Sequence, residues 1–211
     1  MLKEHWEILL GCLKEFKNTG TFFPSSRWAA EALTSPLRRS PGNKTIVEVG
    51  AGTGPVTERI LADMKDGDRL TIVELNPKLM QVLRVRLEKN RDYYRHRENV
   101  RLFEGAIQDL PEDWKYDVIV CALPFLNFDI DLTQDIFDKL HRISTDDAVM
   151  TWYEYIGLRT LGKVVSPSDR KIRLHNYDLF FNEMRSRVGF DRERVWLNLL
   201  PINIYTMRMA A

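Results

Sequence analysis

The chain has 211 residues, enough for one domain or one domain with a sizeable extension. Hydrophobic residues make up 44% and charged residues 29%, ordinary globular usage that excludes a disordered chain. Lysine plus arginine number 31 against 30 for aspartate plus glutamate, so no global field favours nucleic acid and no DNA partner is expected.

Residues 2–17 read as an amphipathic helix, with Leu2, Trp6, Leu9, Leu13 and Phe16 on the 3.6-residue period. Glu4, Glu7, Lys14 and Glu15 interrupt its apolar positions, so the segment does not read as a secretory signal. "NTGTFFPSS" breaks the helix at Gly20 and Pro24. Ser25 or Ser26 can cap a second, short helix, "RWAAEAL", which "SPLRRSPGN" is expected to close. Cys12 and Cys121 stand alone, without disulfide or metal-ligand spacing, and read as reduced thiols of a cytoplasmic protein. No metal is expected. Nor is a spanning helix, because no apolar run reaches about 18 residues.

From residue 44 strand-like and helical runs alternate. The order is "TIVEVG", a helix over 54–65, "RLTIVEL", a helix over 77–90, "VRLFEGA", "YDVIVCALPF", a helix over 132–142 and "AVMTWYEY". "NYDLFFNEMRSRV" then reads as a helix, and "RERVWLNLL" with "INIYTMRM" as an antiparallel edge pair. The pattern predicts an α/β sandwich, mostly parallel, with helices on both faces and an antiparallel C-terminal strand. Ligands are expected beyond the carboxyl ends of its strands. The domain boundaries fall at 1–43, an N-terminal helical extension, and 44–211.

The glycine-rich turn Gly50-Ala51-Gly52-Thr53-Gly54 follows the first of these strands. Its third glycine comes one residue too early for the dinucleotide spacing G-x-G-x-x-G. Glu48, two residues before the first glycine, would repel a pyrophosphate and suits a cationic ligand. S-adenosylmethionine, with a sulfonium, an ammonium and no phosphate, meets that requirement. Glu74 ends the next strand about 20 residues on, where a carboxylate can accept from both ribose hydroxyls.

"VEVGAGTG" and "IVELNP" resemble the first two motifs of class I S-adenosylmethionine-dependent methyltransferases, whose fold is Rossmann-like. The resemblance implies that Glu48, Gly50, Ala51, Gly52, Thr53, Gly54, Glu74 and Leu75 bind the cofactor and that S-adenosylhomocysteine is the product. It also places adenine near Ala106 and Ile107, helped by Gln108, and brings Ala122 to the cofactor. Ala106 stands where the family often has an acid, which leaves adenine recognition there to backbone groups.

"TGTFFPSSRWAAEAL" and "CALPFLNF" together resemble bacterial phospholipid N-methyltransferases, which methylate phosphatidylethanolamine or amino lipids such as ornithine lipids. The competing resemblance is to ribosomal RNA adenine dimethyltransferases, whose fourth motif is Asn-Leu-Pro-Tyr. Here Ala122 replaces the Asn that accepts from a planar target amine, which disfavours RNA. A soluble small molecule is the third acceptor class. A nicotinamide-dependent reductase and a non-enzymatic S-adenosylmethionine-binding protein are the readings from other classes.

An alkylammonium must lose a proton before it can attack. Tyr153 and Tyr155, which share a strand face, are the candidate acceptors or orienters, together with Glu154, Asp129 and Asp131. The aromatic faces of Phe125, Tyr153 and Tyr155 could hold a methylated ammonium. His175 reads as a surface residue. For membrane contact the sequence offers helix 2–17 and a possible substrate flap over 156–175, rich in Arg and Lys. Both fit a peripheral protein on the inner face of the cytoplasmic membrane.

Overall fold

A computed structural model of the chain describes residues 25–39, 41–156 and 168–209. Helix 2–17 and most of the flap at 156–175 lie outside the described residues. Ser26 caps helix α1 (Arg27–Leu33), its hydroxyl accepting from the Ala29 N–H at 3.2 Å. The next stretch does not simply close that helix. Pro36 suits a first helical turn, and Ser35–Arg39 form a second short helix, α2.

Seven strands form one sheet: β1 (Thr45–Val49), β2 (Arg69–Glu74), β3 (Val100–Glu104), β4 (Tyr116–Cys121), β5 (Ser144–Tyr155), β6 (Asp191–Val195) and β7 (Ile202–Arg208). Their order is β3-β2-β1-β4-β5-β7-β6. The first five pair in parallel, while β7 runs antiparallel to both β5 and β6. The expected mostly parallel sheet with an antiparallel C-terminal strand is present. The tail strand is shorter than its pattern, since "RERVWLNLL" pairs only as far as Val195.

Helices α3 (Pro55–Asp63), α4 (Pro77–Leu87), α5 (Arg91–His96), α6 (Ile130–Arg142) and α7 (Ser168–Val188) complete the layers. The expected helix over 77–90 ends at Leu87 and a new one starts after Asn90, whose side chain accepts from the Tyr93 N–H at 2.9 Å. α7 begins eight residues before the helix read from sequence, so 168–175 are helical rather than loop. His175 is exposed on it.

Alternation along each strand splits the core into two faces. Val47, Ile119, Met150 and Trp152 meet α6 and α7 through Ile136, Phe137, Tyr177 and Phe181. Ile46, Val118, Ile202 and Ile204 meet α1, α3 and α4 through Ala29, Leu33, Ile60 and Leu83. Ala29, Ala30, Ala32, Leu33 and Leu37, placed in an extension by sequence, are buried in the core on this face of the sheet. Thr151 fixes them there, its hydroxyl donating to the Leu33 carbonyl at 2.7 Å.

Candidate cofactor and acceptor site

Strand order reverses between β1 and β4, because β1 leads to β2 on one side while β4 returns on the other. Such a switch point leaves a crevice at the carboxyl ends of the two strands. The glycine turn lies there. Gly50, Gly52 and Gly54 have φ of 78°, 59° and 94°, a region that glycine enters without a Cβ penalty. Their surroundings differ. A Cβ on Gly50 would stand 2.8 Å from Leu123 Cδ2, and one on Gly54 would stand 2.6 Å from Leu83 Cδ1. A Cβ on Gly52 would meet nothing within 4 Å. Two glycines thus admit close neighbours, and the middle one faces open space.

The β4 end closes the other side of the crevice. The Ala122 N–H donates to the Val49 carbonyl at 2.8 Å, which sets the "ALPF" segment against Gly50. On the β2 side, Glu74 Oε2 accepts from the Gly52 N–H at 2.7 Å and Oε1 from the Asn76 N–H at 2.8 Å. Burial raises the Glu74 carboxyl above the usual range, and backbone N–H groups of Asn76, Gly52 and Leu75 hold it down in part. Thr53 is held from behind, because the Arg86 guanidinium donates to its carbonyl at 3.3 Å while clamping Glu58 at 2.6 and 2.7 Å. Ala51 is buried in the core between these walls.

Glu48 is fully buried on β1. Its Oε2 accepts from the Thr57 hydroxyl at 2.6 Å, while Oε1 is buried without a partner. Burial pushes this carboxyl up to about 8, with Glu74 adding to the shift and Thr57 opposing it. A buried carboxyl with an unpartnered oxygen suits a cationic group, whose charge would favour its ionised form, so the residues present fit S-adenosylmethionine. Glu48 would complement its positive charge, and Glu74 would accept from the ribose hydroxyls. Ala106 opens a 3-10 turn over Ile107–Asp109 after β3, and Ile107 is buried. Both amide atoms of Gln108 are buried without partners, which leaves a donor and an acceptor for an adenine edge.

The acceptor-side candidates separate. Tyr153 and Tyr155 come together at the end of β5, edge to face with ring centroids 5.5 Å apart. Burial raises both phenols, and Tyr153 additionally feels the neighbouring Tyr155 and Cys121. Both stay protonated at neutral pH, which leaves hydroxyls and aromatic rings rather than ionised bases at this rim. Glu154 points to the opposite face, where the Tyr177 and Tyr205 hydroxyls donate to it. Asp129 pairs with Arg173 at 3.4 Å, and Asp131 is exposed in the first turn of α6. Phe125 is only 1% exposed and packs on Phe137 at 4.9 Å, so it contributes no open aromatic face. The cause is local: Pro124 ends the extended chain, and a 3-10 turn over Phe125–Asn127 carries the ring into the core. Sequence reasoning missed Thr57, Arg86 and Asn76. Only Asn76 had a local signal, standing just before Pro77 at a helix start.

Residues 46–147 match the methyltransferase domain family. The fold agrees with solved methyltransferases. The O-methyltransferase TomG of Streptomyces achromogenes, crystallised with S-adenosylmethionine, superposes with a TM-score of 0.69 at 14% identity, covering 97% of this chain and 90% of that one. An O-methyltransferase of Bacillus cereus in complex with S-adenosylhomocysteine gives 0.67 at 15%, with the same coverage. Residues 46–147 are thus a methyltransferase domain, on a fold shared with S-adenosylmethionine-dependent methyltransferases. The nicotinamide alternative falls with that assignment, and S-adenosylmethionine is the cofactor.

Among curated relatives, the ornithine lipid N-methyltransferase of Singulisphaera acidiphila is 31% identical over 129 residues, 57% of this chain and 62% of that protein. A protein of Methanosarcina acetivorans named as ribosomal RNA small subunit methyltransferase A is 32% identical over 130 residues, 60% of this chain and 40% of its own. The match thus spans less than two thirds of either relative.

Proposed function

We propose that this methyltransferase domain transfers a methyl group to the amino head group of a membrane lipid, phosphatidylethanolamine or an ornithine-type lipid. The observation that carries the acceptor class is the 31% identity to an ornithine lipid N-methyltransferase. Ala122 supports it, since that position has no side-chain acceptor to orient the planar amine of a base. The cofactor supplies an electrophilic methyl group on its sulfonium. The chain's own task is alignment of a neutral amine with that methyl, and proximity of this kind carries much of such a reaction. The Tyr153–Tyr155 pair at the β5 rim provides hydroxyls for the amine and aromatic faces for the methylated ammonium. A buried rim also disfavours the ammonium form, so the amine sheds its proton more readily.

No helix among the described residues is long and apolar enough to cross a membrane. Contact with the lipid is then peripheral, on the inner face of the cytoplasmic membrane, through the amphipathic stretch 2–17 and the basic segment 156–175.

An RNA amine is the second reading, favoured by the 32% identity to the ribosomal RNA methyltransferase. The two separate in one assay. The protein is incubated with methyl-labelled S-adenosylmethionine, total lipid and total RNA, and the fractions are then resolved. Label is expected in a lipid amine. Label confined to RNA would overturn the lipid reading.

A further inference from the structure

We propose that the loop joining β6 to β7, residues 196–200, inserts into the interfacial layer of an anionic lipid bilayer and holds the catalytic rim against it. The proposal rests on the lipid-amine reading above and adds a contact surface which that reading did not include.

Trp196, Leu197 and Leu199 are 61%, 62% and 64% exposed, three large apolar side chains within four residues. Most other exposed apolar residues stand singly on helices, which is ordinary; a cluster calls for a partner. The loop is braced in this shape. Asn198 Oδ1 accepts from the Ser26 N–H at 3.0 Å, and its Nδ2 donates to the Leu200 carbonyl at 2.9 Å. The polar residue is turned inward and the apolar ones outward, so their exposure is built into the loop. Trp28, on the first turn of α1 next to Ser26, is 40% exposed, with the Arg27 guanidinium 4.2 Å from its ring centroid.

Position gives the loop its meaning. β6 runs parallel to β5, since both are antiparallel to β7, so the loop leaves the sheet at the carboxyl rim that carries the cofactor crevice. The Ile156 N–H donates to the Pro201 carbonyl at 2.8 Å, and Tyr155 pairs with Ile202. The loop is therefore tied directly to the tyrosine end of the acceptor site.

The occupant follows from charge. Arg192 and Arg194 alternate along one side of β6, with Asp191 and Glu193 on the other, and both arginines are exposed. Neither has an ion-pair partner among the described residues. Basic residues behind a Trp and Leu tip suit an anionic headgroup layer over an apolar one. A second copy of the chain is a poorer fit, because the β6 edge presents four successive charged residues, Asp191 to Arg194, which discourage strand pairing.

The test uses the full chain and its Trp196→Ser, Leu199→Ser double variant. Co-sedimentation with vesicles of phosphatidylcholine and phosphatidylglycerol is expected to weaken by about tenfold or more, from the apolar area lost. Melting temperature and its rise with S-adenosylmethionine should not change. Methyl transfer to an amino lipid in vesicles should fall, while transfer to the same lipid dispersed in detergent persists. Unchanged sedimentation of the folded variant would overturn the proposal. So would a lowered melting temperature with unchanged sedimentation, which would mean the loop is covered by the chain's own residues 1–24. A wild-type dimer that the double change dissociates, seen by light scattering, would assign the loop to self-association instead. Label appearing only in RNA would defeat the acceptor reading, whereas loop-dependent vesicle binding would stand apart from it.

Discussion

At the residue scale, the three glycines of one turn have different jobs. Gly50 and Gly54 make room for Leu123 and Leu83, whereas nothing stands within 4 Å of the Cβ position at Gly52. Gly52→Val should therefore fold, with a cost of about 1–2 kcal/mol for a side chain at positive φ. It should lose S-adenosylmethionine binding by calorimetry, because the branched side chain occupies the open space. Retained affinity in the folded variant would place the cofactor elsewhere. Glu48 gives a pH signature. Its folded-state value, about 8, lies above the ordinary 4.5, so the native state holds this proton more tightly than the unfolded chain. Native stability is then highest below about 4.5, falls as pH rises towards 8 and levels off above it, a loss on the order of a few kcal/mol. Glu74 shifts in the same direction. In Glu48→Gln, urea midpoints between pH 5 and 8 should fall much less steeply than in the wild type, leaving the share due to Glu74. Identical slopes would show that Glu48 is not the titrating group. Cofactor affinity should also rise with pH over this range in the wild type, since a cation favours the ionised carboxylate.

At the element scale, helix α7 is fixed to the sheet through Glu154. Its neighbours Tyr153 and Tyr155 face α1 and α3, but Glu154 lies on the α7 face, 5% exposed, and takes a hydrogen bond from Tyr177. Tyr177→Phe leaves the ring packing on Phe181 and removes the hydroxyl that donates to Glu154. A buried carboxylate that loses a donor costs about 1–3 kcal/mol. The urea midpoint should drop accordingly with an unchanged m-value. A variant as stable as the wild type would mean that Glu154 does not depend on the Tyr177 hydroxyl. α7 also reaches the acceptor side, where Arg173 donates to the Asn127 carbonyl at 3.2 Å and pairs with Asp129. The segment read from sequence as part of a loop thus includes a helical brace for the "ALPF" turn.

At the scale of the whole molecule, the sheet places the candidate cofactor residues at one rim, with Tyr153, Tyr155 and the 196–200 loop along it. Ligand that binds only the native state must raise the melting temperature by mass action. With S-adenosylmethionine at about a hundred times its dissociation constant, a rise of roughly 5–10 °C is expected for a chain of this size. NADH should give none. A shift with NADH and none with S-adenosylmethionine would overturn the assignment of the crevice.

Much of this was legible in the sequence because it is local. A strand followed by glycines and then a helix fixes a tight turn through backbone conformation alone, and the acids at positions 48 and 74 give the sign of the charge beside it. The alternation of strands and helices likewise implies parallel pairing, since a helical crossover returns the chain in the same direction. Tertiary structure decided what depends on long-range neighbours. Period-2 alternation says that Tyr153 and Glu154 face opposite ways, but only the packed structure shows that Glu154 meets Tyr177 of α7 while Tyr153 packs on the α1 and α3 side. Phe125 reads as an available aromatic until the turn after Pro124 carries it against Phe137. "WLNLL" continues a strand pattern, yet Asn198 binds the chain 172 residues away at Ser26 and bends those residues into a loop. A hydrogen bond across that separation has no local signature, and it is what leaves Trp196 and Leu199 facing outward.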